Sequence, residues 1–120
     1  MSKMIEPDNW ADFLIEFSGR NRDRRARFYI FFSSGETVEE AEEGHLANVV
    51  LKNNDGKRQV VVERIGRGGG DEEPMSDTID NVRGVAVQYE TDGSENILEI
   101  TDGKNTLMSL RFESKLDGDS

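Results

Sequence analysis

The sequence predicts a mainly β, α+β domain: one N-terminal helix capping a curved antiparallel sheet, or a small partly open β-barrel, of about six strands. Three observations carry this. A helical period of apolar residues occurs once, near the N-terminus. Alternation of apolar and polar residues recurs through the rest of the chain. Asn- and Asp-Gly turn signals then separate the alternating segments at hairpin spacing. With 120 residues the chain has the length of one domain and shows no internal repeat or dividing linker. Its apolar fraction is 34% and its charged fraction 33%, so the core must be thin and use nearly every strong apolar residue. Six Phe, two Tyr and one Trp supply much of it, since each aromatic buries about 150–250 Å².

The helix is expected over residues 7–19. Pro7 and Asp8 suit its entry. Trp10, Phe13, Leu14 and Phe17 recur at i, i+3, i+4 and i+7 and so share one face. Gly19 suits a left-handed C-terminal cap. The first strand is expected over 24–33, with Ala26, Phe28, Ile30 and Phe32 on one face and Arg27, Tyr29 and Phe31 on the other. Aromatics on both faces imply a strand partly buried on both sides, with the helix covering one. An acidic connector from Gly35 to Gly44 follows, with a helical turn over Val38 to Glu43. Strands over 46–51 and 59–65 flank Asn53-Asn54-Asp55-Gly56, a hairpin signal because these residues tolerate positive φ. Residues 66–74 read as a flexible Gly-rich, then acidic, loop. Met75 to Asn81 reads as a short turn with Ile79 anchored inward. Strands over 83–90, 96–101 and 105–113, joined at Asp92-Gly93 and Asp102-Gly103, form a closing meander.

The charge distribution is segregated. Arg20, Arg22, Arg24, Arg25 and Arg27 fall within eight residues of a chain whose net charge is -10, and an acidic run follows at Glu36, Glu39, Glu40, Glu42 and Glu43. Such clusters repel themselves unless a partner or another part of the fold offsets them. The absence of cysteine excludes disulfides, thiolate metal sites and cysteine nucleophiles. No stretch approaches the roughly 20 apolar residues of a membrane span, and Met1 to Glu6 lacks a signal-peptide core, so a soluble cytoplasmic protein with no membrane partner is expected.

The pattern Trp10-x-x-Phe13-x-x-x-Phe17-Ser18, the Arg-rich exit, the aromatic strand and the closing Glu90-Thr91-Asp92-Gly93, Leu98-Glu99-Ile100, Asp102-Gly103-x-x-Thr106-Leu107 and Leu110-x-Phe112 resemble a family of small uncharacterised bacterial proteins, a domain of unknown function. The resemblance spans most of residues 7 to 112 and rests on structural motifs. It implies a fold and no activity. Members of that family carry histidines where this chain has Met75-Ser76-Asp77-Thr78-Ile79, which implies that a function of those histidines is lacking here.

The candidate binding patch is Arg20, Arg22, Arg24, Arg25 and Arg27 with Tyr29. Functionally, the arginines would grip phosphates while rings stack on bases. Structurally, their stems would lie on apolar surface and their heads would pair with carboxylates, each surface pair contributing about 0–1 kcal/mol. Net charge favours the structural reading. Gly66-Arg67-Gly68-Gly69-Gly70-Asp71 lacks the following helix and Lys-Ser/Thr pair of a phosphate loop, and three carboxylates surround its end. His45, the single histidine, has no second metal ligand, and spacing indicates neither an orienting carboxylate nor a nucleophile for it, so it reads as a surface strand-entry residue. The acidic run lacks the spacing of a calcium loop. No catalytic residue, metal or cofactor is therefore assigned. The expectation is a non-enzymatic interaction or accessory module with a protein partner. The alternatives are an oligonucleotide- or anion-binding module using the Arg20–Arg27 cluster, and a self-assembling or scaffolding protein.

Overall fold

A computed structural model describes residues 2–39, 44–68 and 71–113. Its helix, α1 (Trp10–Asn21), follows a 3-10 turn at Pro7–Asn9. Nine strands among the described residues form one antiparallel sheet: β1 (Ser2–Met4), β2 (Arg25–Phe31), β3 (Thr37–Glu39), β4 (Gly44–Asn54), β5 (Lys57–Gly68), β6 (Asp71–Ile79), β7 (Val82–Tyr89), β8 (Glu95–Asp102) and β9 (Leu107–Phe112). The order is β1-β7-β8-β9-β2-β4-β5-β6, with β3 also on β2. The sheet curls far enough that β5 touches β7, yet its outermost strands, β1 and β6, do not pair with each other. The expected α+β class, with a helix on a curved antiparallel sheet, is what forms.

Helix α1 buries Trp10, Leu14 and Phe17 on one stripe, with Phe13 partly buried beside them. The Trp10 indole N–H donates to the Ile5 carbonyl at 2.9 Å, satisfying the one polar atom of a ring otherwise in the core. Ser18 fixes the helix to β4: its hydroxyl accepts from the Val49 N–H at 2.8 Å and donates to the Leu14 carbonyl at 2.7 Å. The expected helix ends differ. Its start is the 3-10 turn led by Pro7, and Asn9 precedes α1 with no side-chain cap. Its end passes Gly19 and reaches Asn21, and Asp23 takes the left-handed conformation (φ 71) assigned to Gly19. Tertiary contacts explain the extension, because the Asp23 N–H donates to Leu46 O at 2.8 Å and the Leu46 N–H donates to Arg24 O at 2.9 Å.

Strand β2 divides the two faces as alternation requires. Ala26 and Phe28 are buried and Ile30 packs partly against the core, together with Leu98, Ile100, Leu110, Val60 and Val62. Phe32 departs from the expected inner row: it lies beyond the strand and is 39% exposed. The β4–β5 hairpin turns at Asp55 (φ 52) and Gly56 (φ 77), the paired positive angles of a two-residue turn. Three strands were not read from sequence. β1 and β3 are three residues each, and Thr37–Glu39 replaces the start of the expected helical turn; residues 40–43 lie outside the described ones. The expected 66–74 loop is instead strand on both sides of residues 69 and 70, which lie outside the described residues, and the Met75 region continues β6. Ile79 does point inward, at 2% exposure.

The two faces of β2 predict unequal responses to truncation. Phe28→Ala opens a core cavity and is expected to cost about 3–5 kcal/mol, whereas Phe31→Ala, half-exposed on the other face, is expected to cost under about 1.5 kcal/mol. Urea unfolding of the two variants measures the difference; equal losses would place Phe31 in a second core.

Candidate functional site: an arginine–aromatic sheet face

The five clustered arginines do not form one patch. Arg20, in the last turn of α1, makes a two-point pair with Glu95, with Nε 2.9 Å from Oε1 and Nη2 2.8 Å from Oε2. Glu95 opens β8 and its side chain is only 7% exposed. Asn21 Nδ2 donates to the same carboxylate at 2.9 Å and to Phe17 O at 2.9 Å. Arg24, the residue before β2, completes the knot. Its Nη1 donates to Asn21 Oδ1 at 2.9 Å and to Glu95 O at 2.6 Å, and its guanidinium lies 4.3 Å from the Phe112 ring centroid. Arg22 points elsewhere, donating from Nε to Ala47 O at 3.3 Å. Arg20 and Arg24 thus hold the helix end, β2 and β8 together.

Burial, the largest single influence on Glu95, pushes its carboxyl up. The hydrogen bonds from Arg20 and Asn21 and the charges of Arg20 and Arg24 together outweigh it and hold the carboxyl below its ordinary value. Arg20 is raised in return, chiefly by its hydrogen bond to Glu95 with burial opposing, while burial lowers Arg24 against the nearby carboxylates Glu90, Glu95 and Asp92.

Arg25 and Arg27 lie on the opposite face of β2 with Tyr29 and Phe31. Directly paired residues share a face, so the cross-strand rows extend it. One row runs Arg27, Arg111, Ile97 and Gln88, the next Tyr29, Ser109, Glu99 and Ala86, and the next Phe31, Leu107, Thr101 and Gly84. Helix α1 packs on the other side of the sheet, so among the described residues no helix covers this face. Tyr29 and Phe31 are stacked, with centroids 6.2 Å apart at 18°. The Arg111 guanidinium lies over both rings, at 5.1 and 5.6 Å, and its Nε donates to Ser109 Oγ at 3.1 Å. Among the described residues Arg111 has no carboxylate partner. Arg25 reaches Glu113 at 3.4 Å and Arg27 reaches Glu39 at 3.3 Å, all four side chains near half exposure. Glu99 accepts from Gln88 Nε2 at 2.9 Å.

The structure therefore joins Arg25, Arg27 and Tyr29 of the predicted patch and separates Arg20, Arg22 and Arg24 from it. Sequence reading missed Arg111, which becomes a neighbour only because β9 pairs with β2. The alternation Leu107, Ser109, Arg111 was its one local signal. Arg64 was also missed. It is 1% exposed on the core side of β5, bonded through Nη2 to Asp77 at 3.0 Å and set 5.3 Å from the Phe28 centroid, while Nε and Nη1 have no hydrogen-bond partner among the described residues. His45 lies at the entry of β4, as expected, but is half-buried rather than on the surface, paired with Arg25 and Ile65. Gly66 to Gly68 are strand, so no anion-cradling loop begins there. No group of three or more metal-ligating side chains occurs among the described residues, and no helix among them is long and apolar enough to cross a membrane.

A cavity of about 620 Å³ lies by Lys57, Asp80, Asp102 and Lys104 and touches none of the clustered arginines. No protein-family model, curated protein or solved structure matches this chain.

The Arg20–Glu95 knot generates a pH prediction. Glu95 titrates lower when folded than its ordinary value of 4.5, so its stabilisation is complete above that value and is lost as pH falls through the folded one. Glu95→Gln is expected to cost about 1.5–3 kcal/mol at pH 7. The gap between the two proteins should close in acid. Urea midpoints from pH 7 to pH 3 measure it, and a gap that widens on acidification would contradict the assignment.

Proposed function

We propose that this chain is a non-enzymatic interaction module that docks an acidic protein surface on its open sheet face. The single observation that carries the reading is Arg111, held over the stacked Tyr29 and Phe31 rings without a counter-ion among the described residues. Arginine and aromatic side chains at the centre of a face, ringed by weaker charge pairs, are the composition of an interaction hot spot. Arg111 calls for a carboxylate or phosphate. Glu39, Glu99 and Glu113 on or beside the face, and the net charge of -10, oppose an extended polyanion while tolerating discrete carboxylates presented by a folded protein.

One observation favours a second reading. The Tyr29–Phe31 stack is the platform on which single-stranded bases stack, and nucleic-acid binding would fall steeply with salt. Two measurements separate the readings. A photo-cross-linking residue at Leu107 is expected to capture a discrete partner, whereas one at Asp55, on the hairpin tip, is not. Arg27→Glu/Arg111→Glu should abolish the Leu107 adduct. An amide-shift titration with a short single-stranded oligonucleotide should leave the spectrum unchanged at physiological salt. Shifts confined to 25–31 and 107–111 that vanish with salt would replace the protein partner with nucleic acid, and indifference of the Leu107 adduct to charge reversal would remove the face.

A further inference from the structure

We infer that the acidic surface docked on this face is the exposed ridge of α1 of a second copy of the chain, joining copies head to tail. The inference rests on the docking-face reading above and supplies its occupant. The solvent side of α1 is a ridge of Ala11, Asp12, Ile15, Glu16 and Gly19, all exposed and opposite the buried Trp10–Leu14–Phe17 stripe. Two features of the ridge fit a contact with another chain. Ile15 is 64% exposed, an apolar side chain set between two carboxylates. Gly19 sits within the helix at an ordinary helical φ, and a Cβ there would meet nothing within 4 Å. Glycine is among the poorest helix formers, so neither backbone conformation nor internal packing calls for it. Close approach of another chain does.

The sheet face offers the complement. Arg111, with Arg25 and Arg27 beside it, faces the carboxylates Asp12 and Glu16 would bring. Half-buried Tyr29, Phe31, Leu107 and Ile97 offer an apolar floor for Ile15. Arg25 and Arg27, already engaged within the chain, would add positive charge at the rim of the contact, their pairs with Glu113 and Glu39 being half exposed. Both halves of the complement belong to one chain, and they lie on opposite sides of the sheet. The ridge of one chain cannot reach its own sheet face, and the contact joins unlike surfaces, so it propagates to a ring or filament. The net charge of -10 opposes association at long range, but at physiological ionic strength the Debye length of about 8 Å screens it while contact pairs persist.

Sedimentation of the full chain at physiological salt tests this. The wild type is expected to exceed its 13.5 kDa monomer mass increasingly with concentration. Asp12→Arg/Glu16→Arg and Arg27→Glu/Arg111→Glu should each stay monomeric, and an equimolar mixture should associate again because reversed ridge meets reversed face. Gly19→Ala should raise the thermal midpoint while weakening association by roughly tenfold. A wild type that remains monomeric, variants that associate like it, or a mixture without rescue would overturn the proposal. If the wild type is monomeric but the Leu107 adduct to another protein persists and still depends on Arg27 and Arg111, the second copy falls and the docking face stands; loss of both removes the face as well.

Discussion

The seven residues of β2 are hydrogen-bonded on both edges, and the rest of the molecule is placed relative to them. One edge carries β9 along Ala26–Phe31. The other carries β4 at Arg25 and Ala26 and β3 at Tyr29–Phe31. Among the described residues this is the one strand hydrogen-bonded to both the β1-β7-β8-β9 half of the sheet and the β4-β5-β6 half. Its register decides which side chains are inside, since a slip of one residue would send Ala26 and Phe28 to solvent and Arg27 and Tyr29 into the core. Burying those two polar heads without partners would cost far more than any rearranged apolar contact returns.

The Glu95 knot protects that register at the strand's entry. Arg24 reaches from the strand's approach to Asn21, to Glu95 O and, at 3.2 Å, to Glu113 O, while Asn21 and Arg20 bind the Glu95 carboxylate. Helix end, β8 start and the residue following β9 are thereby tied to one point. A cluster of like charge in the sequence becomes two groups of different purpose. Two arginines neutralise a nearly buried carboxylate and lock the helix to the sheet, and two alternate to the far face. There the cation without a carboxylate among the described residues, Arg111, is one that sequence proximity did not supply. Function, on this view, is a residue of the folding solution: the same alternation that buries Phe28 sets Tyr29 and Phe31 under Arg111.

Much of this was legible from local chemistry. The Trp10–Leu14–Phe17 stripe, the Asp55-Gly56 turn and the closing meander follow from period and turn residues alone. What was not legible has physical causes. β1 and β3 are too short to show a period. β6 carries Asp-Glu-Glu-Pro, poor strand chemistry in isolation; an edge strand tolerates it because only one side is paired and a proline's missing N–H can face away. The helix end was misplaced because Asp23, anchored to Leu46, took the left-handed turn. Half of the candidate face was visible as Arg25, Arg27 and Tyr29. Arg111 was not, because no local signal reports that the last strand lies beside the first long one.

The sharpest test of how the arginines divide is a pair of thermal unfolding curves, for Arg24→Ala and Arg111→Ala, at low protein concentration. Arg24→Ala removes hydrogen bonds to three segments and a cation from the Phe112 ring, and should lower stability by about 1.5–3 kcal/mol. Arg111→Ala should change it by less than about 1 kcal/mol, its contacts being one hydrogen bond and two half-buried rings. The reverse ranking, or equal losses, would mean that Arg111 is a structural residue and that the open face is only the outside of the fold.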